Sequence, residues 1–73
     1  MNKLVTIHVK HESGITLESL RTSRIKGVYT STVAMITSYF VAYSGIWGCQ
    51  ALEITKSDYK LLVGVLELPE LNV

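Results

Sequence analysis

Two histidines and one cysteine are the strongest candidates in this 73-residue chain for metal or nucleophilic chemistry. His8 and His11 stand three residues apart, Glu12 follows directly, and Cys49 is the single thiol. Imidazole, thiolate and carboxylate groups are ligands of zinc, and a thiol beside an imidazole can act as a nucleophile. On a strand, however, the two imidazoles would point to opposite faces. We therefore predict no metal site, no catalytic site and no cofactor.

A basic segment containing Arg21, Arg24 and Lys26 is the other group of residues that could contact a ligand. Arginine and lysine supply the sequence-independent contacts that proteins make with phosphate groups. The net charge of the whole chain is only +1, which is too near neutral to argue for nonspecific nucleic-acid binding. The same segment also fits a solvated linker. Nucleic-acid binding through these three residues is therefore kept as an alternative hypothesis.

The composition indicates one small domain, residues 1–73, with more apolar surface than it can bury. Hydrophobic residues make up 48% of the chain, and the mean hydropathy is +0.31. A domain of this size hides only about 60% of the surface that its unfolded chain exposes. Because one cysteine cannot form an intrachain disulfide, a partner protein or a second copy is the expected means of covering the remainder. We expect a homo-oligomer, specifically a dimer.

The N-terminal residues carry no signal-peptide pattern, since one lysine precedes an alternating run and no continuous apolar segment follows it. One unpaired cysteine fits a reducing compartment. We therefore expect a cytoplasmic protein. No glycine-rich phosphate loop and no pair of carboxylates in apolar surroundings occurs in the sequence, so we expect no enzymatic activity.

Alternating apolar residues predict that the chain begins with a strand over residues 3–10. Residues 11–14 are predicted to form a turn, because Gly14 can adopt a positive φ without steric cost. Residues 15–20 are then predicted to return as the second arm of a hairpin, which gives the first strand a local partner. The alternative for these residues is a short helix capped by Thr16.

The stretch from Gly27 to Leu52 carries no charged residue, although charged residues lie on both sides of it. Six of its apolar residues recur three or four positions apart: Tyr29, Val33, Ile36, Phe40, Tyr43 and Trp47. This spacing predicts a helix from about Ser31 to Ser44, ended by Gly45. Its β-branched and aromatic content favours a pair of buried strands as the alternative. Its length would also admit a single membrane span, although six serine and threonine residues dilute the hydrophobicity.

The C-terminal part is predicted to begin with a strand over residues 49–55. Two interpretations compete for the last apolar run, residues 61–68. A capping-box pattern at 55–58 favours a helix, whereas Gly64 and its two β-branched neighbours favour a strand. We adopt the strand here and expect residues 70–73 to fray.

Together these elements predict an α+β fold with two layers, in which an antiparallel or mixed sheet of ββαββ order packs on one central helix. The back face of that helix would stay uncovered, and we predict that a partner protein binds there, at Met35, Tyr39, Ala42 and Ile46. The leading hypothesis is a small non-enzymatic interaction module, a regulator, inhibitor or adaptor that acts by binding another protein. The alternatives are a nucleic-acid-binding regulator that uses the basic segment, and a small single-span membrane protein.

Overall fold

The computed structural model describes residues 3–46 and 48–71, which form five strands and one helix. The strands are β1 (Leu4–His11), β2 (Gly14–Arg21), β3 (Ile25–Val33), β4 (Ile36–Gly45) and β5 (Gly48–Ile54), and the helix is α1 (Lys56–Gly64). A short 3-10 turn, Thr22–Arg24, joins β2 to β3. The five strands make one antiparallel sheet in the order β2-β1-β5-β4-β3.

The predicted ββαββ order with a central helix is wrong, because residues 31–44 belong to β3 and β4. The alternative of a pair of buried strands is right about the strands, but residues 30–37 of the pair are exposed. Ala34 and Met35 connect the strands at φ values of 52° and 66°, and positive φ at both central residues is the mark of a type I′ hairpin turn. Such turns usually carry Asn-Gly, so nothing in the dipeptide Ala-Met indicates a turn.

The first hairpin was predicted correctly. β1 and β2 pair in continuous register from Leu4 opposite Arg21 to His11 opposite Gly14. Gly14 has a φ of 140°, as a turn-flanking glycine can. The strand predicted at 49–55 is also confirmed, as β5.

The last apolar run, residues 61–68, is not the strand that we adopted: residues 61–64 complete α1, and residues 65–68 belong to no helix or strand. Thr55 caps α1, and its Oγ1 accepts a hydrogen bond of 3.3 Å from the Asp58 N–H. The Asp58 carboxylate does not turn back to its own helix; its Oδ2 accepts the backbone N–H of His8 and lies 3.0 Å from the His8 Nδ1. These contacts and the burial of Leu62 stabilise the helix. Their contribution outweighs the cost in helix propensity of Gly64, which is about 1 kcal/mol.

The buried side chains lie on the face of the sheet that α1 covers, here called the inner face. They are Ile7, Val9, Leu20, Ile25, Val28, Val41, Ile54 and Leu62. The opposite side, the outer face, carries the stacked rings of Tyr29 and Phe40, whose centroids lie 5.1 Å apart at an interplanar angle of 15°. Since successive side chains of a strand point to opposite faces, the inner face contributes side chains to the core and the outer face is in contact with solvent.

The short connection between β2 and β3 forces the sheet to curl. Four Cα–Cα steps separate Arg21 from Ile25, and they can span at most about 15 Å. The outermost strands of a flat five-stranded sheet would lie about 19 Å apart. The two edges therefore approach each other at this end, and Leu20 and Ile25 enter the same core from opposite edges.

The C-terminal tail, residues 69–71, lies along the edge of β3. The Val28 N–H donates to the Pro69 carbonyl at 2.9 Å, and the Leu71 N–H donates to the Val28 carbonyl at 2.6 Å. These bonds make a parallel bridge between Val28 and Glu70. We predicted that residues 70–73 fray; Glu70 and Leu71 are instead bound to the sheet, and residues 72 and 73 lie outside the described part of the chain.

A side-chain hydrogen bond joins the tail to α1. The Tyr59 hydroxyl donates to the Glu70 Oε2 at 2.6 Å. This bond and, secondly, burial raise the pKa of Tyr59 from 10.0 to about 12. Because the pKa is higher in the folded protein, the bond stabilises the fold fully below about pH 10, and this stabilisation is lost as the pH rises through about 12.

We expect Gly27→Ala to displace the tail, because a Cβ at residue 27 would lie 2.7 Å from both the Pro69 carbonyl oxygen and the Leu71 Cγ. Such overpacking costs about 1–3 kcal/mol, which outweighs the gain of up to about 1 kcal/mol that alanine brings by restricting the unfolded chain. Urea unfolding should show the loss of stability. An NMR titration should show the pKa of Tyr59 falling back toward its usual value as Glu70 leaves.

Gly64→Ala is the matched control, since a Cβ placed there would lie within 4 Å of no atom beyond its chain neighbours and the backbone of its own helix. In a helix this change should add up to about 1 kcal/mol of stability. A Gly27→Ala variant as stable as the natural chain, with Tyr59 still titrating near 12, would show that the tail does not occupy this edge.

Candidate partner-binding surface

The distal part of the β3–β4 hairpin projects beyond the core as an arm, defined here as residues 30–37. Every residue of the arm is exposed, on both faces of the hairpin. Its strands are held in register by like pairs, with Thr32 opposite Thr37 and Val33 opposite Ile36. The Thr32 and Thr37 hydroxyls lie 3.1 Å apart and form a hydrogen bond. The arm is therefore a regular two-stranded ribbon without a core of its own.

The arm carries no charged residue. Serine and threonine residues lie along its two strands, and apolar residues form its tip. Burying charged groups against a partner would carry a large desolvation cost, and the arm avoids that cost. Its surface is thus polar enough to remain solvated, and another protein can cover it without burying an unpaired charge.

The tip of the arm, defined as residues 33–36, is apolar and fully accessible. Met35 is 97% exposed, and Val33 and Ile36 are 71% and 69% exposed. Ala34 and Met35 both adopt positive φ, which costs a residue with a Cβ about 1 kcal/mol or more. A strained turn that displays a methionine does nothing for the core, and such outliers concentrate at functional sites.

The four residues predicted to bind a partner do not share one surface. Met35 lies at the tip, Ile46 lies in the turn after β4, and Ala42 lies on the outer face opposite Ala51. Tyr39 lies on the inner face, where its ring centroid is 5.0 Å from that of Tyr59. Their spacing would join them on one side of a helix, but strand residues alternate. Partner binding by each of them stays a prediction.

The basic segment surrounds the 3-10 turn. Arg21 ends β2, Arg24 lies in the turn, and Lys26 lies at the bulge where the register of β3 shifts. Arg21 and Lys26 are exposed and Arg24 is half-buried. Within residues 3–46 and 48–71, none of the three forms an ion pair with a carboxylate. The turn and its two flanks therefore carry three cations.

The residues considered for metal or nucleophilic chemistry, His8, His11 and Cys49, lie in different surroundings. His8 contacts Asp58, and the His11 Nε2 lies 2.9 Å from the Thr16 Oγ1. Cys49 is exposed on β5. Among the described residues, no group of three potential metal ligands is present. The structure thus does not bring the histidines and the cysteine together.

The uncharged stretch Gly27 to Leu52 contributes strands to the sheet. In the described part of the chain, no helix combines the length and the apolarity needed to cross a membrane. Trp47, which completed the predicted helical stripe, lies outside the described residues.

One feature of the sequence would have located the arm. The residues of β3 and β4 mirror each other about Ala34 and Met35, so that like residues oppose each other. The pairs are Gly27 with Ala42, Val28 with Val41, Tyr29 with Phe40, Ser31 with Ser38, Thr32 with Thr37, and Val33 with Ile36. A helical spacing cannot account for this mirror order, whereas cross-strand pairing of like side chains can.

Comparison with protein-family models, with curated proteins and with solved structures gives no match for this chain.

We expect the double variant Ala34→Asn, Met35→Gly to be more stable than the natural protein by roughly 1 kcal/mol or more, because both residues tolerate the positive φ of the turn. Urea unfolding measures the change. Met35→Lys is the matched control; it keeps a Cβ at positive φ on an exposed site, so its stability should stay within about 0.5 kcal/mol of the natural value. A double variant no more stable than this control would contradict the type I′ turn.

Proposed function

We propose that the protein is a small interaction module that binds another protein through the tip of the arm. The observation that carries this proposal is the exposed Met35 in a left-handed turn, flanked by exposed Val33 and Ile36. Methionine is unbranched and polarisable, so it adapts to irregular apolar surfaces and is common at protein-binding sites. The tip therefore supplies an anchor of the kind that enters a pocket on a partner.

The energies indicate how much of the arm the partner must contact. Burying the side chains of Val33, Met35 and Ile36 would contribute about 1.5–3 kcal/mol each. Association itself costs about 4–15 kcal/mol in lost freedom of motion. The tip alone would thus bind weakly, and a stable complex needs further contacts along the serine- and threonine-rich strands of the arm. A groove that accepts a whole hairpin fits this requirement better than a flat surface does.

Binding to the partner should depend on the tip and not on exposed apolar residues in general. We expect Ile36→Lys to abolish capture of the partner, because it introduces a charge that the partner would have to desolvate. Val65→Lys is the matched control, since Val65 is also 69% exposed and lies after α1, away from the arm. A photo-crosslinking residue at position 35 should join the protein to one partner in cells, and the same residue at position 65 should not.

Two results would contradict this proposal. Equal crosslinking from positions 35 and 65, or capture unaffected by Ile36→Lys, would exclude the tip as the binding site. Binding of the natural chain to phosphatidylcholine vesicles, lost in Ile36→Lys, would assign the tip to a membrane surface instead of a protein.

A second candidate function is nucleic-acid binding by the basic segment. The supporting observation is that Arg21, Arg24 and Lys26 surround one tight turn and have no carboxylate partner among the described residues. If the segment binds phosphate, retention on heparin and on single-stranded DNA should fall steeply with salt and should be lost when all three residues become glutamine. Lys56 and Lys60, on α1, provide the matched control pair. Weak retention that both sets of changes alter equally would exclude this function.

A further inference from the structure

The sheet has two edge strands, and they differ in how their backbone groups are satisfied. The edge of β3 is bridged at Val28 by the tail. The edge of β2 pairs with β1 on one side and, within the described residues, with no strand on the other. Residues 14–19 of β2 are all exposed. β2 is therefore the edge that is open along its whole length, here called the open edge, whereas the edge of β3 is closed at Val28.

The direction of the backbone groups of β2 follows from the hairpin that contains it. His11 and Gly14 close a two-residue turn, so they form a hydrogen-bonded pair and every second residue after Gly14 bonds to β1. The Thr22 N–H, which donates to the Lys3 carbonyl at 2.9 Å, continues that ladder. The residues in between, Ile15, Leu17 and Ser19, accordingly direct their N–H and C=O groups away from β1.

This edge has few of the features that usually prevent strands from pairing. β2 contains no proline and no lysine, and its register with β1 has no bulge. Ile15 and Leu17 lie on the outer face beside the open edge and are 57% and 64% exposed. An edge strand of eight residues with free backbone groups and adjacent apolar side chains is suited to strand addition.

We propose that β2 pairs antiparallel with β2 of a second copy of this chain, about a two-fold axis at Leu17. The two sheets then continue into one sheet of twice the number of strands. In this arrangement Leu17 lies opposite Leu17 of the second copy, and Ile15 lies opposite Ser19 of the second copy. The outward N–H and C=O groups of these residues become hydrogen-bonded across the axis.

The charge on β2 selects this register. The midpoint of β2 lies between Leu17 and Glu18, so an axis at either residue gives the greatest overlap of the two strands. An axis at Glu18 would place two carboxylates opposite each other, which is destabilising. An axis at Leu17 places Glu18 opposite a threonine hydroxyl, that of Thr16, and brings two leucines together. The strand is thus self-complementary in one register.

The symmetry of the pairing explains why the association stops at two copies. Pairing of β2 with β2 is isologous and uses the open edge of both copies. The tail already fills the hydrogen-bonding positions of Val28 on the other edge. The proposed pairing uses residues 15–19 of β2 and no residue of the arm. Dimer formation and partner binding are therefore separate properties, and one can fail while the other holds.

The mass of the full chain in solution tests the proposal. Sedimentation and light scattering should show a shift from 8.1 kDa to twice that mass as the concentration rises. Leu17→Lys should weaken the dimer by about tenfold or more, since two like charges would meet at the axis. Ile36→Lys is the matched control, because Ile36 is exposed to a similar extent, 69% against 64%, and lies on the arm. It should leave the dimer intact.

A charge-pair experiment tests the register. Ile15→Lys and Ser19→Glu should each weaken the dimer, and the double variant should restore it, because the two residues meet only across the axis.

Hydrogen exchange on the natural chain provides a test that needs no variant. The amides of Ile15, Leu17 and Ser19 should be protected at high concentration and exchange quickly on dilution, while those of Thr16 and Glu18 stay protected throughout. A monomer at all concentrations, a dimer that survives Leu17→Lys, or a dimer lost in Ile36→Lys would each overturn the proposal.

Discussion

The pairing of the C-terminal tail with Val28 is the interaction on which the rest of this structure depends. It satisfies the outward backbone groups of Val28 on the edge of β3, and through Glu70 and Tyr59 it ties α1 to that same edge. The close approach of the tail requires a residue without a side chain at position 27. Residues 65–68 join α1 to the tail. The helix that covers the inner face and the tail that bonds to Val28 therefore belong to one continuous segment.

Closing one edge divides the molecule into parts with different tasks. Near the tail, β3 and β4 contribute Val28 and Val41 to the core; beyond the tail, the same two strands have no core to cover and extend as the arm. At the other end of the sheet, β2 places Leu20 in the core, while Ile15 and Leu17 remain exposed. Part of the excess apolar character expected from the composition therefore lies at the arm tip and beside the open edge, while Leu4, Ile46 and Val65 are exposed elsewhere.

Local patterns predicted the parts of the fold in which neighbouring residues decide the conformation. The alternation of β1, the glycine after its turn and the alternation of β5 were sufficient there. They failed for β3 and β4 because the residues of a mirrored hairpin happened to recur at helical spacing, and because Ala-Met takes a conformation that the dipeptide disfavours. They failed for α1 because a long-range contact stabilises this helix: Asp58 accepts a hydrogen bond from the N–H of His8, fifty residues earlier in the chain. Of the predicted binding residues, Met35 alone lies at the tip.

The exchange rates of two amides on the edge of β3 test this account most directly. The Val28 N–H is bonded to the tail, whereas the Thr32 N–H faces the same edge two alternations further along, on the exposed arm. Hydrogen exchange measured by NMR on dilute protein should therefore show Val28 strongly protected and Thr32 exchanging almost as fast as an unfolded chain. Fast exchange at both residues would mean that the tail does not close the edge, and protection at both would mean that the arm is covered by the protein itself.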